Sequence, residues 1–304
     1  MSAGHKHGVS PGSTGVRHRG RLLTVLLLLA GFAVLEVVAA WWTGSLALLS
    51  DGGHMFSDVL GIGMSLAAIQ AAAMAGVGPQ RTFGLYRLEV LAALGNALLL
   101  FGVAGYVLVE AVSRLPEPPR VLSGPMLVVA LAGLAANLAA FALLHPGAGD
   151  NLNVRGAYLE VLGDTVASLG VIAAAVTIML TGWGYADPIV AVAVACFILP
   201  RTWRLAAAAV RILVQAAPEH LDVAAIQAAL LGVPDVIEVH DLHVWTLTSG
   251  MEVASAHLTV TAAADTGRVL AAARTALQDG YGIDHATLQV EPAGAVGCCQ
   301  SVGW

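Results

Sequence analysis

Six long apolar stretches, separated by short polar or Pro/Gly-rich breaks, constrain this sequence more than any other feature. A helix needs about 20 apolar residues to cross a bilayer, because all its backbone polar groups must be satisfied within the segment. Each stretch reaches that length, so the sequence predicts six transmembrane helices with both termini on one side. The stretches cover residues 22–42, 46–74, 88–112, 123–145, 154–180 and 186–208.

The first stretch follows Arg21 and invites comparison with a signal peptide. It runs on to Trp42, which is longer than a signal-peptide core, and no small-residue cleavage pattern stands out. We therefore expect a retained helix after a polar tail of residues 1–21.

Basic residues are distributed unevenly between the two sides of these helices. By the positive-inside rule, the side with more Lys and Arg faces the cytoplasm. The sequence therefore predicts cytoplasmic N- and C-termini, and the short loops favour a plasma (inner) membrane. Arg114 and Arg120 lie on the opposite side; those on the terminal side are Lys6, Arg17, Arg19, Arg21, Arg81, Arg87, Arg155, Arg201, Arg204 and Arg211.

The last third of the chain has a different charge. Only 11% of all residues are charged, which excludes an ordinary soluble enzyme, since soluble domains average about 25%. Residues 212–304 nevertheless contain ten acidic residues and two arginines. Such a segment would repel nucleic acid and anionic lipid and attract cations, so we expect no nucleic-acid partner.

Periodicity predicts a small α+β domain in this acidic segment. The predicted order is αββαβ, with helices on one sheet face, which resembles a metallochaperone (ferredoxin-like) domain. We expect three regions: a cytoplasmic tail (1–21), a six-helix transmembrane domain (22–211) and a cytoplasmic α+β domain (212–304). Predicted helices cover 223–231 and 265–278, and predicted strands 236–239, 242–247, 252–261 and 286–290.

Two predicted spans carry ionisable side chains in the hydrocarbon, where a charge costs several kcal/mol and marks a functional site. Asp51, His54 and Asp58 share one face of the second span, because they are three and four residues apart. Glu160 and Asp164 are one turn apart in the fifth span. If the two faces oppose each other, four ligands converge, the number that a tetrahedral divalent cation needs. Hydrogen-bonded contacts between helices are the alternative.

Glu36 of the first span has no ligand-type residue near it in sequence. Two interpretations stay open, in which it lines the metal cavity or pairs with a neighbouring helix. Together with Asp51, it is an accessory candidate for the transport cavity.

Four motifs resemble those of the cation diffusion facilitator family: SLALLSDGGHMFSD (45–58), FGLYRLE (83–89), RGAYLEVLGD (155–164) and HDLHVW (240–245). The resemblance extends over nearly the whole chain. It implies a homodimeric exporter of divalent transition metals, mainly zinc, that works by proton exchange. The metal is then a substrate, and no catalytic cofactor is expected. In this family the second and fifth spans build the transport site, which implies that His54, Asp58 and Asp164 are ligands.

Glu160 departs from the family pattern, since zinc-type members usually carry His at this position. A carboxylate is a harder ligand than imidazole, and hard ligands favour harder cations. Cadmium, cobalt, manganese and iron therefore stand beside zinc as expected substrates.

The resemblance also implies a regulatory metal in the cytoplasmic domain. His240, His257 and Glu291 match the positions usually used. Surface histidines without metal are the alternative for each. Weaker candidates are His243 and His285, and the vicinal Cys298 and Cys299 are soft ligands in a reducing cytosol.

Two functions of other classes compete with transport. An intramembrane metalloenzyme could use the same four residues, but the sequence has no HExxH motif, and neither a GxSxG motif nor an obvious nucleophile lies beside them. Four protein ligands would also close the open position that a catalytic metal needs. A membrane metal sensor without transport is the other alternative.

The Glu160→His substitution tests whether Glu160, which differs from the usual family residue, determines metal preference. We expect it to shift preference toward zinc and away from manganese and cobalt, because a nitrogen replaces a hard oxygen. Competitive transport of zinc, cobalt, manganese and cadmium by the wild type and the variant measures the shift. An unchanged order of preference would contradict the assignment of Glu160 to metal selectivity.

Overall fold

The computed structural model describes residues 12–73, 82–117, 120–144, 152–248 and 250–294. Six long helices come first in the described part of the chain, and their order confirms the predicted helical membrane domain. Their bounds are α1 Gly12–Thr43, α2 Leu46–Ala73, α3 Tyr86–Ser113, α4 Ser123–Leu144, α5 Leu152–Thr181 and α6 Ala186–Leu213.

Among the described residues, five helices are long and apolar enough to cross a membrane: α1, α3, α4, α5 and α6. They expose large apolar side chains such as Trp41, Leu98 and Val109, which suit a lipid environment rather than water. α2 has 28 residues and carries the buried Asp51, His54 and Asp58.

The chain divides into two compact units: residues up to 67 with 93–206, and residues 68–92 with 207 onward. In the first unit, α2 lies very close to α1 and α3. A Cβ added to Gly52 would lie 3.0 Å from Cβ of Glu36, and one added to Gly53 would lie 2.7 Å from Cγ1 of Val103. These two glycines therefore allow the helix that carries His54 to approach both neighbours.

The second unit contains the predicted αββαβ arrangement. α7 (Val223–Leu231) precedes β1 (Val236–Thr248) and β2 (Met251–Val260), and α8 (Thr266–Tyr281) precedes β3 (His285–Pro292). β1 is antiparallel to β2, which is parallel to β3. The two predicted strand segments 236–239 and 242–247 form one strand, interrupted by a bulge after His240. Thr248 at the end of β1 donates a 2.6 Å hydrogen bond to Oε2 of Glu89, which belongs to the same unit.

The sheet of the second unit has one covered face and one open face. Ala254, Ala256 and Leu258 of β2 pack in a buried cluster with residues of α7 and α8. Because side chains alternate along a strand, Ser255 and His257 lie on the opposite face. The polar ligand candidates therefore lie on the face that these helices leave open.

Candidate metal sites

The transmembrane candidate site consists of His54, Asp58 and Asp164. Nε2 of His54 lies 3.2 Å from Oδ1 of Asp164 on α5 and 3.6 Å from Oδ2 of Asp58, one turn later on α2. One ligand atom from each residue can be chosen so that all three lie within 4.8 Å of one another. All three side chains are buried, the most exposed at 7%. The structure thus brings together three of the four predicted ligands.

These distances fit a tetrahedral metal. Zinc–ligand bonds of about 2.0–2.1 Å place neighbouring ligand atoms of a tetrahedron about 3.3–3.4 Å apart. The two distances from the His54 nitrogen, 3.2 and 3.6 Å, lie close to that separation. The donor set, one imidazole and two carboxylates, is one that divalent transition metals accept.

Glu160, the fourth predicted ligand, lies on α5 one turn before Asp164. Its side chain lies outside the described part of the structure. The backbone places it on the same helix face as Asp164, as the spacing predicts.

Two asparagines that no sequence motif marks form hydrogen bonds with serines close to Asp58 and Asp164 in the chain. Nδ2 of Asn96 on α3 donates to the carbonyl oxygen (3.2 Å) and to Oγ (2.7 Å) of Ser57, the residue before Asp58. Nδ2 of Asn137 on α4 donates to Oγ of Ser168 (3.2 Å), one turn after Asp164 on α5. Both asparagines are buried, so these amides link each ligand helix to a neighbour. An isolated Asn in an apolar stretch is the signal that points to them.

Glu36 and Asp51 form a second buried acidic group. Their carboxyl groups lie against each other, and both side chains are almost fully buried. Ser168 donates a 3.4 Å hydrogen bond to Oδ2 of Asp51. Neither oxygen of Glu36 accepts a hydrogen bond from any amide or hydroxyl of the described residues, and the same holds for Oδ1 of Asp51. With both carboxyl groups ionised, this buried pair would be strongly unfavourable.

The cytoplasmic candidate site combines all three strands of the second unit. His240 of β1 lies directly opposite His257 of β2, with ring centroids 5.3 Å apart. Nδ1 of His257 lies 3.0 Å from Oε1 of Glu291 on β3, and Nε2 of His240 lies 3.7 Å from Oε2 of the same carboxylate. Gln289 donates to Oε1 of Glu291 at 2.7 Å. These three predicted ligands are brought together on the open face of the sheet.

Asp241 joins this site although the sequence analysis did not select it. A regular strand would place it on the face opposite His240. The bulge sets Asp241 and Leu242 against Ala256 alone, and Asp241 adopts φ 53°, a left-handed conformation that Asp tolerates better than most residues. Its Oδ2 consequently lies 3.8 Å from Nε2 of His257.

The weaker cytoplasmic candidates are not all near this cluster. His243 contacts it through Asp241, whose Oδ1 lies 3.1 Å from Nε2 of His243. His285 lies at the other end of β3, opposite Val253 and six residues before Glu291, so the fold does not bring it to the site. Cys298 and Cys299 lie outside the described residues.

Two family models match successive parts of the chain. The family model described as the cation efflux transmembrane domain matches residues 22–214. The family model described as the cation efflux protein cytoplasmic domain matches residues 218–293. Together they span the two candidate metal sites.

Characterised proteins resemble the chain over most of its length. The metal cation efflux system protein CzcD of Cupriavidus metallidurans is 44% identical over 96% of this chain and 91% of its own length. The zinc transporter ZitB of Escherichia coli is 39% identical, over 96% of this chain and 93% of the ZitB chain. A cadmium, cobalt and zinc/H(+)-K(+) antiporter of Bacillus subtilis is 36% identical, over 89% of this chain and 88% of the antiporter chain. The chain is therefore a multi-pass membrane protein of the cation efflux (cation diffusion facilitator) family, a transporter rather than an enzyme, as its motifs predicted.

Proposed function

We propose that this protein exports divalent transition-metal ions, zinc foremost, from the cytoplasm in exchange for protons. The observation that carries the proposal is the buried triad of His54, Asp58 and Asp164, whose spacing suits a tetrahedral metal. Relatives named as a metal cation efflux system protein, a zinc transporter and a cadmium, cobalt and zinc/H(+)-K(+) antiporter support it. We assign Glu160 as the fourth ligand, which leaves cadmium, cobalt, manganese and iron as further substrates.

Exchange for protons follows from the chemistry of the ligands. Carboxylates and imidazole hold a metal only when deprotonated, so loading releases protons and protonation ejects the metal. Imidazole titrates near neutral pH, which suits release between two compartments. The ligands lie on two helices, α2 and α5, so a relative movement of these helices would open the site to each side in turn. The uneven distribution of Lys and Arg supports loading from the cytoplasm. Both termini would then lie on the cytoplasmic side of a bacterial plasma membrane.

The Asp164→Asn substitution tests the transport site. It keeps the shape of the side chain but removes an anionic ligand, so we expect at least about a 100-fold loss of zinc uptake. Uptake is measured in proteoliposomes of the purified full-length protein, with a zinc-sensitive dye inside and an imposed pH gradient. Asp279→Asn, which changes an exposed acid on α8, is the matched control. Undiminished gradient-driven uptake by Asp164→Asn would refute the proposed site.

Glu36 and Asp51 are proposed as an accessory proton-holding pair beside this site. Two facing buried carboxylates repel each other when both are ionised, so a positive charge shared between them stabilises the pair, and no hydrogen-bond donor of the described residues contacts Glu36. A shared proton provides that charge without the space that a hydrated cation needs. Gly133 leaves little room, because a Cβ there would lie 3.2 Å from Oε1 of Glu36 and 2.8 Å from the Phe32 ring.

Glu36→Gln separates proton exchange from metal binding. The amide keeps the shape but cannot exchange a proton, so we expect zinc affinity within about threefold of the wild type and fewer protons moved per zinc. Isothermal titration calorimetry measures the zinc affinity and, in two buffers of different ionisation enthalpy, the protons released on binding. A pH-sensitive dye in proteoliposomes measures the protons moved per zinc. Glu117→Gln, at an exposed acid, serves as control. If Glu36→Gln moves as many protons per zinc as the wild type, the pair has no such role.

The cytoplasmic cluster is proposed as a regulatory metal site that stabilises a homodimer. His240, His257 and Glu291 are partly exposed on the open sheet face, where a metal enters directly from water. The acidic excess of this domain repels a second copy, and bound metal reduces that repulsion. Metal binding then favours association of two protomers.

His257→Ala tests the regulatory site. We expect the variant to bind fewer zinc ions per chain than the wild type and to lose zinc-dependent dimerisation, because His257 contacts Glu291 and faces His240. Native mass spectrometry of the full-length protein, with zinc or chelator, measures both properties. His285→Ala removes a histidine at the far end of β3 and should behave as wild type. Equal stoichiometry and equal dimer fractions for His257→Ala would exclude the site.

A further inference from the structure

The start of α2 is held by a carboxylate from the far end of the sequence. Asp187, in the first turn of α6, is fully buried. Its Oδ2 accepts a 2.7 Å hydrogen bond from the backbone N–H of Leu46, and its Oδ1 accepts one from that of Ala47 (3.1 Å) and one from Oγ of Ser45 (2.6 Å). The first N–H groups of a helix have no partner within the helix, and here Asp187 satisfies two of them.

Ser45 extends this contact along α2. Its Oγ accepts a 3.1 Å hydrogen bond from the N–H of Leu48, while it donates to Asp187. One turn further along α2, Oγ of Ser50 donates to the carbonyl oxygen of Ala191 at 3.4 Å, which again joins α2 to α6. Asp187 and these two serines therefore fix both the rotation of α2 about its axis and its position along that axis, relative to α6.

Arg114 joins two more helices to the same point. Its Nη1 donates to the carbonyl oxygen of Gly44 (2.8 Å) and lies 3.7 Å from Oδ2 of Asp187. Its Nε donates to Oε1 of Glu110 (3.0 Å), one turn earlier on α3. The buried charge of Asp187 is thus balanced by a guanidinium and by the N-terminus of α2.

We propose that Asp187 is a positioning residue for metal transport, which fixes α2 so that His54 and Asp58 meet Asp164 at metal-binding distance. These two ligands lie about 12 and 18 Å along the axis from Leu46, at about 1.5 Å per residue of a helix. A helix transmits a shift of its end over that length, whereas metal–ligand distances tolerate only about 0.2 Å. The inference rests on the proposed transport site.

The test compares zinc affinity and transport of purified full-length variants. Asp187→Asn keeps one acceptor oxygen but loses the charge, and we expect Kd and KM for zinc to rise about tenfold. Asp187→Ala should weaken binding further, and Ser45→Ala should weaken it in the same direction. Asp187→Asn combined with Ser45→Ala should cost less than the product of the two single effects, because both act through one contact. Glu117→Gln, at an exposed acid after α3, should leave Kd unchanged.

The outcomes separate three cases. A merely structural role would lower the melting temperature of Asp187→Asn but leave the zinc Kd and KM of the folded protein at wild-type values, and that result would overturn the inference. If Asp187→Ala does not fold, Asp187→Asn and Ser45→Ala still decide the question. If the His257→Ala variant, which lacks the cytoplasmic site but has Asp187 and Ser45 intact, binds no zinc at all, that result would instead overturn the proposed transport site itself.

Discussion

An ionisable side chain buried among apolar helices must be compensated, and the helical unit is arranged around that requirement. Asp187 is compensated by Arg114 and by the backbone N–H groups at the start of α2. Asp58 and Asp164 lie around one imidazole, in a geometry that a divalent cation would complete. Each group of charges also joins separate helices, so electrostatic compensation and helix placement are achieved by the same contacts.

The sequence was sufficient wherever a feature depends on local periodicity. Apolar length predicted the six helices, because the bilayer sets the length of a span. Spacings of three and four predicted that His54 and Asp58 share a face, and the structure places them 3.6 Å apart. Alternation in the acidic segment predicted its strands, and α7 has the predicted bounds. Local rules of this kind hold because helices and strands have fixed repeats.

Contacts between distant parts of the chain could not be predicted in the same way. Asp187 is more than 140 residues from Ser45, and only the packing of α6 against α2 brings them together. Asn96 and Asn137 are ordinary polar residues in apolar helices until the fold shows which serines they contact. Asp241 was missed for a local reason, since one bulge reverses the face that strand alternation predicts for it.

The two candidate metal sites differ in burial, and burial would determine how each exchanges an ion. None of the three predicted ligands described in the helices exceeds 7% exposure, so an ion bound there would reach water only when the helices move. In the cytoplasmic candidate site, the side chains of His240, His257 and Glu291 are 31%, 16% and 14% exposed, and an ion bound there would exchange with solvent without a change of fold. A site whose exchange requires helix movement suits transport, because the movement decides which side receives the ion. It suits catalysis poorly, since with Glu160 as the proposed fourth ligand no position would stay open for water. A site in equilibrium with the cytoplasm suits sensing, because its occupancy follows the metal concentration there.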